Sequence, residues 1–229
     1  MALPPRLLAI AQRIPPGSRV VDVGCDHGYL AIWLRQQGAC PFVIATDLAA
    51  QPLEAARRNA QRAGVASGIE FRLADGLEGV NPHEVDTVVL AGMGGETMRG
   101  ILRGAPWLQD GGHRLLLQPQ SKLPELMAFL ATNGYQVRDQ HLAEDSHRLY
   151  TILDVAAGQG EPPQGATRYI SRTLLQRGDP LLARYLTEQI AKLRRIVGGL
   201  ERTGDQEKLA EATQALHELE QWRGAKDHG

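Results

Sequence analysis

The sequence predicts an α/β fold: a mostly parallel seven-stranded sheet that ends in an antiparallel hairpin, followed by a C-terminal helical hairpin. Three observations carry this expectation. Short apolar runs alternate with amphipathic stretches from about residue 4 to residue 156. The last two apolar runs of that region are separated by only a few polar residues, too few for a parallel crossover. Beyond a Gly/Pro-rich stretch, apolar residues recur at helical spacing to near the end of the chain.

Taken in order, Leu7 to Ile14 is a short helix stopped by Pro15-Pro16-Gly17. Arg19 to Val23 is the first strand, broken by Gly24, and Tyr29 to Gln37 is a helix ended by Gly38. Pro41 to Thr46 is the second strand, and Ala50 to Ala63 is a helix ended by Gly64. Ile69 to Leu73 is the third strand. Val85 to Ala91 is the fourth, continuously apolar as in a strand covered on both faces. Glu96 to Arg103 is helical, Arg114 to Gln118 is the fifth strand, and Leu123 to Thr132 is a helix. Tyr135 to Leu142 and Leu149 to Val155 form the hairpin. The linker runs from Ala156 to Gly165. Two helical patterns follow, at about 167–200 and 205–223. The stripe Leu182, Tyr185, Leu186, Ile190, Leu193 and Ile196 faces a looser one of Leu209, Leu216, Leu219 and Trp222.

With 229 residues and 43% hydrophobic composition, one or two domains are expected. The expected division is residues 1–157 and a helical, coiled-coil-like domain at 165–229. The net charge of -1 gives no global case for nucleic acid, so any RNA contact must be local. The only cysteines, Cys25 and Cys40, have neither disulfide-scaffold nor zinc spacing, and reduced thiols are expected. No secretory signal is read at the N-terminus, and the apolar runs are too short to span a membrane. A cytoplasmic protein, without membrane or metal and acting as a monomer, is the expectation.

Four signals fall at carboxyl ends of consecutive strands, where open α/β sheets bind ligands. Asp22-Val-Gly-Cys-Asp-His-Gly28 joins the first strand to a helix. Gly24 lets a ligand approach the backbone, and the helix N-terminus beyond favours a carboxylate such as that of S-adenosylmethionine (SAM). The glycine spacing is not that of a dinucleotide fingerprint. Asp47, ending the second strand, can accept ribose hydroxyls, or else cap the next helix. Asp75-Gly76 follows the third strand, where a carboxylate can take an adenine amine, or simply form a turn. Ala91-Gly92-Met93-Gly94-Gly95 follows the fourth, with more glycine than a turn needs. Together these predict a class I SAM-dependent methyltransferase with a Rossmann-like fold.

Four segments resemble the bacterial tRNA (adenine-22-N1)-methyltransferases, the TrmK family. They are residues 21–30, 72–77, 90–95 and 115–120, and the strings Asp26-His27 with Tyr29-Leu30 and Ala91 to Gly95 are the specific part. The resemblance covers residues 4–156. Three small-residue departures occur at Cys25, Gly28 and Ala31, Asp47 replaces a glutamate, and Gln120 stands where the family usually has asparagine. The resemblance implies a SAM pocket lined by Gly24, His27, Asp47, Asp75, Gly76, Gly92 and Met93. The neighbouring Asp22, Tyr29, Leu48 and Ala91 are read with them. It also implies that Asp26 is the catalytic acid residue, with tRNA as substrate.

Adenine N1 carries its own lone pair, so no strong base is required, but methylation makes the base cationic. Asp26 is expected to accept a hydrogen bond from the adenine amine and stabilise that charge; the alternative is a helix cap. N1 is hidden in paired RNA, so the base must be unpaired or flipped, with Tyr29 a stacking candidate. Arg6, Arg99, Arg103, Arg168, Arg172, Arg184, Arg194 and Arg195 are candidate phosphate ligands, or else solvated helix faces. A small-molecule methyltransferase and a nonenzymatic SAM- or RNA-binding module are the other readings left open.

Overall fold

The computed structural model describes residues 2–227; Met1 and residues 228–229, at the outer ends of the two expected domains, lie outside it. Seven strands form one sheet in the order β3-β2-β1-β4-β5-β7-β6. They are β1 Arg19–Val23, β2 Phe42–Asp47, β3 Ile69–Leu73, β4 Thr87–Gly94, β5 Arg114–Ser121, β6 Tyr135–Asp145 and β7 Arg148–Ala157. β1 to β5 are parallel and β7 is antiparallel to both β5 and β6. The chain order reverses between β1 and β4, the position where such sheets open a crevice for ligands. This is the expected class I methyltransferase topology.

Strand alternation divides the core into two layers. Val20, Val43, Val89 and Leu116 face α1 (Pro5–Ala11), α2 (Tyr29–Gln36) and α3 (Ala50–Arg62). Val21, Ile44, Val88, Leu90, Leu115 and Leu117 face α4 (Gly95–Gly104) and α5 (Leu123–Thr132). Each central strand is therefore apolar on both faces, which is why the fourth reads as an unbroken apolar run.

The hairpin is longer than its apolar pattern. Ser146 and His147 form a two-residue turn with both φ angles positive, at 50° and 64°, the geometry that matches strand twist. β5 pairs with β7 only from Leu117↔Leu153 to Arg114↔Ala156. The distal half of the hairpin therefore projects past the sheet, and a cavity of about 510 Å³ opens between it, the end of β5 and the C-terminal helices.

The expected helix at 167–200 is interrupted. α6 (Arg172–Arg177) ends at Gly178, whose φ of 73° closes the helix, and Asp179-Pro180 then starts a turn. α7 (Leu182–Thr203) and α8 (Gln206–Asp227) form the antiparallel pair. Leu182, Tyr185, Leu186, Ile190 and Leu193 are buried against Ala212, Ala215 and Leu219 and against Leu142 of the hairpin. Ile196 departs from the expected stripe: it is 46% exposed and lines the cavity. Gln140 docks this region to the sheet, its amide donating to the Tyr169 carbonyl at 3.2 Å and accepting from the Ser171 N–H at 2.5 Å. No described helix is long and apolar enough to cross a membrane.

Candidate active site

The β1–α2 turn is built by glycine and hydrogen bonding. Gly24 has φ 68°, and a Cβ there would sit 2.7 Å from Met93 Cε, so the β1 and β4 loops touch at this point. The Cys25 N–H donates to the Thr46 carbonyl at 2.9 Å. Asp26 takes the left-handed conformation, φ 51°, which aspartate tolerates better than most residues. Its N–H donates to Asp47 Oδ2 at 3.0 Å, and Gly28 caps α2. A Cβ on Gly28 would lie 2.9 Å from Ala56 Cβ, so this glycine also sets the α2–α3 packing. The Asp26 side chain is 69% exposed and makes no hydrogen bond to the described protein; its Oδ1 lies 3.7 Å from His27 Nε2. The helix-cap alternative for Asp26 thus has no bond to support it.

Asp47 does not cap α3, whose first turn is entered from Ala49 without a side-chain cap; its carboxylate is tied to loop backbone instead. Its Oδ1 accepts the Ala49 N–H at 2.9 Å and its Oδ2 the Asp26 N–H, which fixes the carboxylate while leaving each oxygen a second lone pair for a ribose hydroxyl. Leu48 follows β2 and Leu73 ends β3, and they are 71% and 61% exposed. Two large apolar side chains beside Asp47 and the exposed Asp75 make a seat for a flat ring such as adenine. Leu73 was not among the sequence candidates. It shares the face of buried Ile69 and Phe71, yet it is exposed where they are covered. Gly76 has a packing reason as well: a Cβ would meet Ile101 Cγ1 at 2.9 Å.

The Ala91–Gly95 string is extended as strand through Gly94, beyond its expected end at Ala91, with a bulge at Gly92. Gly92 has φ 79°, and a Cβ there would lie 3.7 Å from both Arg6 Nη1 and Gln120 Nε2. Gly95 starts α4 so close to the β5–α5 turn that a Cβ would be 2.8 Å from the carbonyl oxygens of Ser121 and Lys122. Arg6, from α1, is held 3.8 Å from Asp145 at the hairpin tip. β4, β5 and α1 therefore meet around Gly92, with the hairpin tip joined through Arg6. Gln118, paired in register with Ala91, is wholly buried, its Oε1 without a hydrogen-bond partner among the described residues.

Asp22 is buried in β1, and burial, reinforced by the nearby Asp47 charge, pushes its carboxyl up to about 7. Burial likewise raises the Cys25 thiol, so it stays protonated and serves packing rather than nucleophilic chemistry. Cys25 and Cys40 are both free and buried. Tyr29 begins α2, is half-buried against the core, and has its ring 5.6 Å from that of His27. Of the expected phosphate ligands, Arg168, Arg184 and Arg194 pair with Glu211, Glu144 and Glu220, Arg99 pairs with Glu96, and Arg103 lies over Phe129. Among the described residues no cluster of His, Cys, Asp and Glu could hold a metal ion.

The glycine-rich loops at a sheet reversal, the backbone-held Asp47 carboxylate and the exposed Leu48 and Leu73 have the arrangement of a cofactor-dependent group-transfer site of the methyltransferase kind. Residues 3–153 match the methyltransferase-domain family model, and the chain belongs to that family. The chain is 31% identical over 158 residues to the Bacillus subtilis tRNA (adenine(22)-N(1))-methyltransferase, covering 69% of this chain and 66% of that one. The B. subtilis tRNA m1A22 methyltransferase structure superposes with TM-score 0.84 at 25% identity, covering 97% of this chain and 99% of the other. A Streptococcus pneumoniae protein proposed to be a tRNA (m1A22) methyltransferase, solved in complex with SAM, gives TM-score 0.79 at 29% identity, covering 93% and 98%.

Proposed function

We propose that this protein is a SAM-dependent methyltransferase that methylates N1 of adenine 22 in tRNA. The observation that carries the reading is similarity along nearly the whole chain, helical pair included, to structures of that activity. Gly24, Asp47, Leu48, Leu73, Asp75 and Met93 would hold SAM, with the ribose on Asp47 and the adenine ring between the exposed leucines. When bound, SAM supplies a sulfonium-activated methyl: the C–N1 bond forms, the C–S bond breaks, and S-adenosylhomocysteine leaves.

Asp26 does the remaining electrostatic work. Its free carboxylate accepts one hydrogen of the target N6 amine, orients the ring, and offsets the positive charge that N1 methylation leaves on the base. The target base enters unpaired, between the Asp26 loop and the Gly92 bulge. In this reading the protein acts on tRNA in the cytoplasm as a monomer. It divides into a catalytic domain at 1–157 and a helical domain at 165–229.

Transfer of labelled methyl from SAM to unmodified tRNA, followed by nucleoside mass spectrometry and mapping, tests this. The expected product is 1-methyladenosine at position 22, absent from a tRNA with guanine there. A protein that binds SAM but labels no tRNA would end the reading.

A further inference from the structure

Gln120 is the polar side chain at the acceptor side of the cleft with no assigned task. It sits at the exposed end of β5, and its carboxamide makes no hydrogen bond to the described protein. Its Nε2 reaches the space left by the missing Gly92 side chain, 3.7 Å from where a Cβ would be. The β1 turn that carries Asp26 meets β4 next to this point, where Gly24 packs against the Met93 side chain. Asp26 follows β1 and Gln120 lies near the end of β5, the two strands that flank β4, so both stand at the same edge of the sheet on either side of the β4 end. Gln120 is anchored on a strand whose preceding residues are buried, so its backbone is fixed although its amide is free.

We infer that Gln120 is the specificity-determining residue for the target base, reading the N6/N7 edge of adenine so that N1 faces the methyl donor. The inference rests on the reading of the site as an adenine N1-methyltransferase. Adenine presents a donor, N6–H, beside an acceptor, N7, and a carboxamide matches that pair with two hydrogen bonds. Gln120 Oε1 accepts one N6 hydrogen and its Nε2–H donates to N7. The other N6 hydrogen, on the N1 side, goes to Asp26. Both amine hydrogens are thereby used, and N1 alone of that end of the base is left with an unshared pair. Guanine presents two acceptors, O6 and N7, on the same edge, so one half of the carboxamide would be opposed. The bulge at Gly92 supplies the room: any side chain there would occupy the space that the base edge needs.

The test uses the full-length protein, its Gln120→Leu variant, and two tRNAs that differ only in carrying adenosine or 7-deazaadenosine at the target position. The wild-type protein is expected to lose about tenfold to a hundredfold in kcat/KM on the 7-deaza tRNA. Gln120→Leu is expected to lose a similar factor on the normal tRNA, to discriminate no further between the two tRNAs, and to keep wild-type SAM affinity by calorimetry. Equal rates on both tRNAs with the wild-type protein would overturn the assignment without any variant. So would a Gln120→Leu protein that still discriminates between them. If the wild-type protein methylates neither tRNA while binding SAM, the adenine reading itself falls, and this one with it.

Discussion

At the carboxyl ends of β1 to β5, Asp26, Leu48, Leu73, Asp75 and Gln120 project with few or no protein partners. In the α6–α8 region the opposite holds. Arg168 pairs with Glu211, Arg177 with Asp139, Arg184 with Glu144 and Glu188, Arg194 with Glu220, and Lys208 with Asp205. The apolar residues between those helices close on one another and on the hairpin. The first region leaves polar capacity and apolar surface unspent, as a ligand site must. The second spends much of both internally, except where Ile196 lines the cavity beside the hairpin, as an element does when its task is to hold a shape. Basic residues in a tail are therefore a poor guide to RNA contact here, because much of that charge is already neutralised by neighbours.

The comparison breaks most readily by cavity formation in the helical seam. Leu186 is fully buried there, and Leu186→Ala should cost about 2–5 kcal/mol of stability in a urea melt. SAM affinity at room temperature should change little; a large fall would mean that the helices shape the cofactor cleft. Asp26→Asn keeps the left-handed backbone and reverses this pattern. Methyl transfer should fall about 10²- to 10³-fold with SAM binding and melting temperature nearly unchanged, and near-normal turnover would remove Asp26 from the chemistry.

Asp22 gives the next effect, and its sign follows from the raised carboxyl. In the folded protein it keeps its proton up to about pH 7, whereas unfolded it loses it near 3.8. The folded state thus binds more protons in that window, and this group's contribution to stability declines as pH rises through it, then levels off. Asp22→Asn mimics the protonated form and should flatten that slope in denaturation curves collected across the window; an unaltered slope would show that Asp22 is ionised in the fold. The smallest effect belongs to Arg194→Ala at an exposed pair with Glu220, which should change stability by less than about 1 kcal/mol.

Much of the architecture was legible because most strands and helices of residues 19–157 follow their own period, and β1, α2, α3, α4, α5 and β7 end on or within two residues of a glycine. The break at Gly178 to Pro180 was legible in the same terms, but the apolar spacing continues on both sides and reads as one helix. The hairpin tip was underestimated because Glu144, Asp145 and Arg148 carry no apolar alternation; cross-strand pairing and the Ser146-His147 turn extend it. Among site residues, Leu73 was missed because a leucine ending a strand looks like core, and its exposure is seen only in the fold.

The sequence by itself determined the order of elements, the glycine-rich turns and the carboxylates at successive strand ends, since these depend on local backbone freedom and residue period. Only the tertiary structure decided which glycine answers to which constraint: Gly24 to Met93, Gly28 to Ala56, Gly76 to Ile101 and Gly95 to the β5–α5 turn. It alone also brought Arg6, Gly92, Gln120 and Asp145 together from four separate parts of the chain. No local pattern encodes that meeting, because it follows from the sheet order and from how far the hairpin projects beyond β5.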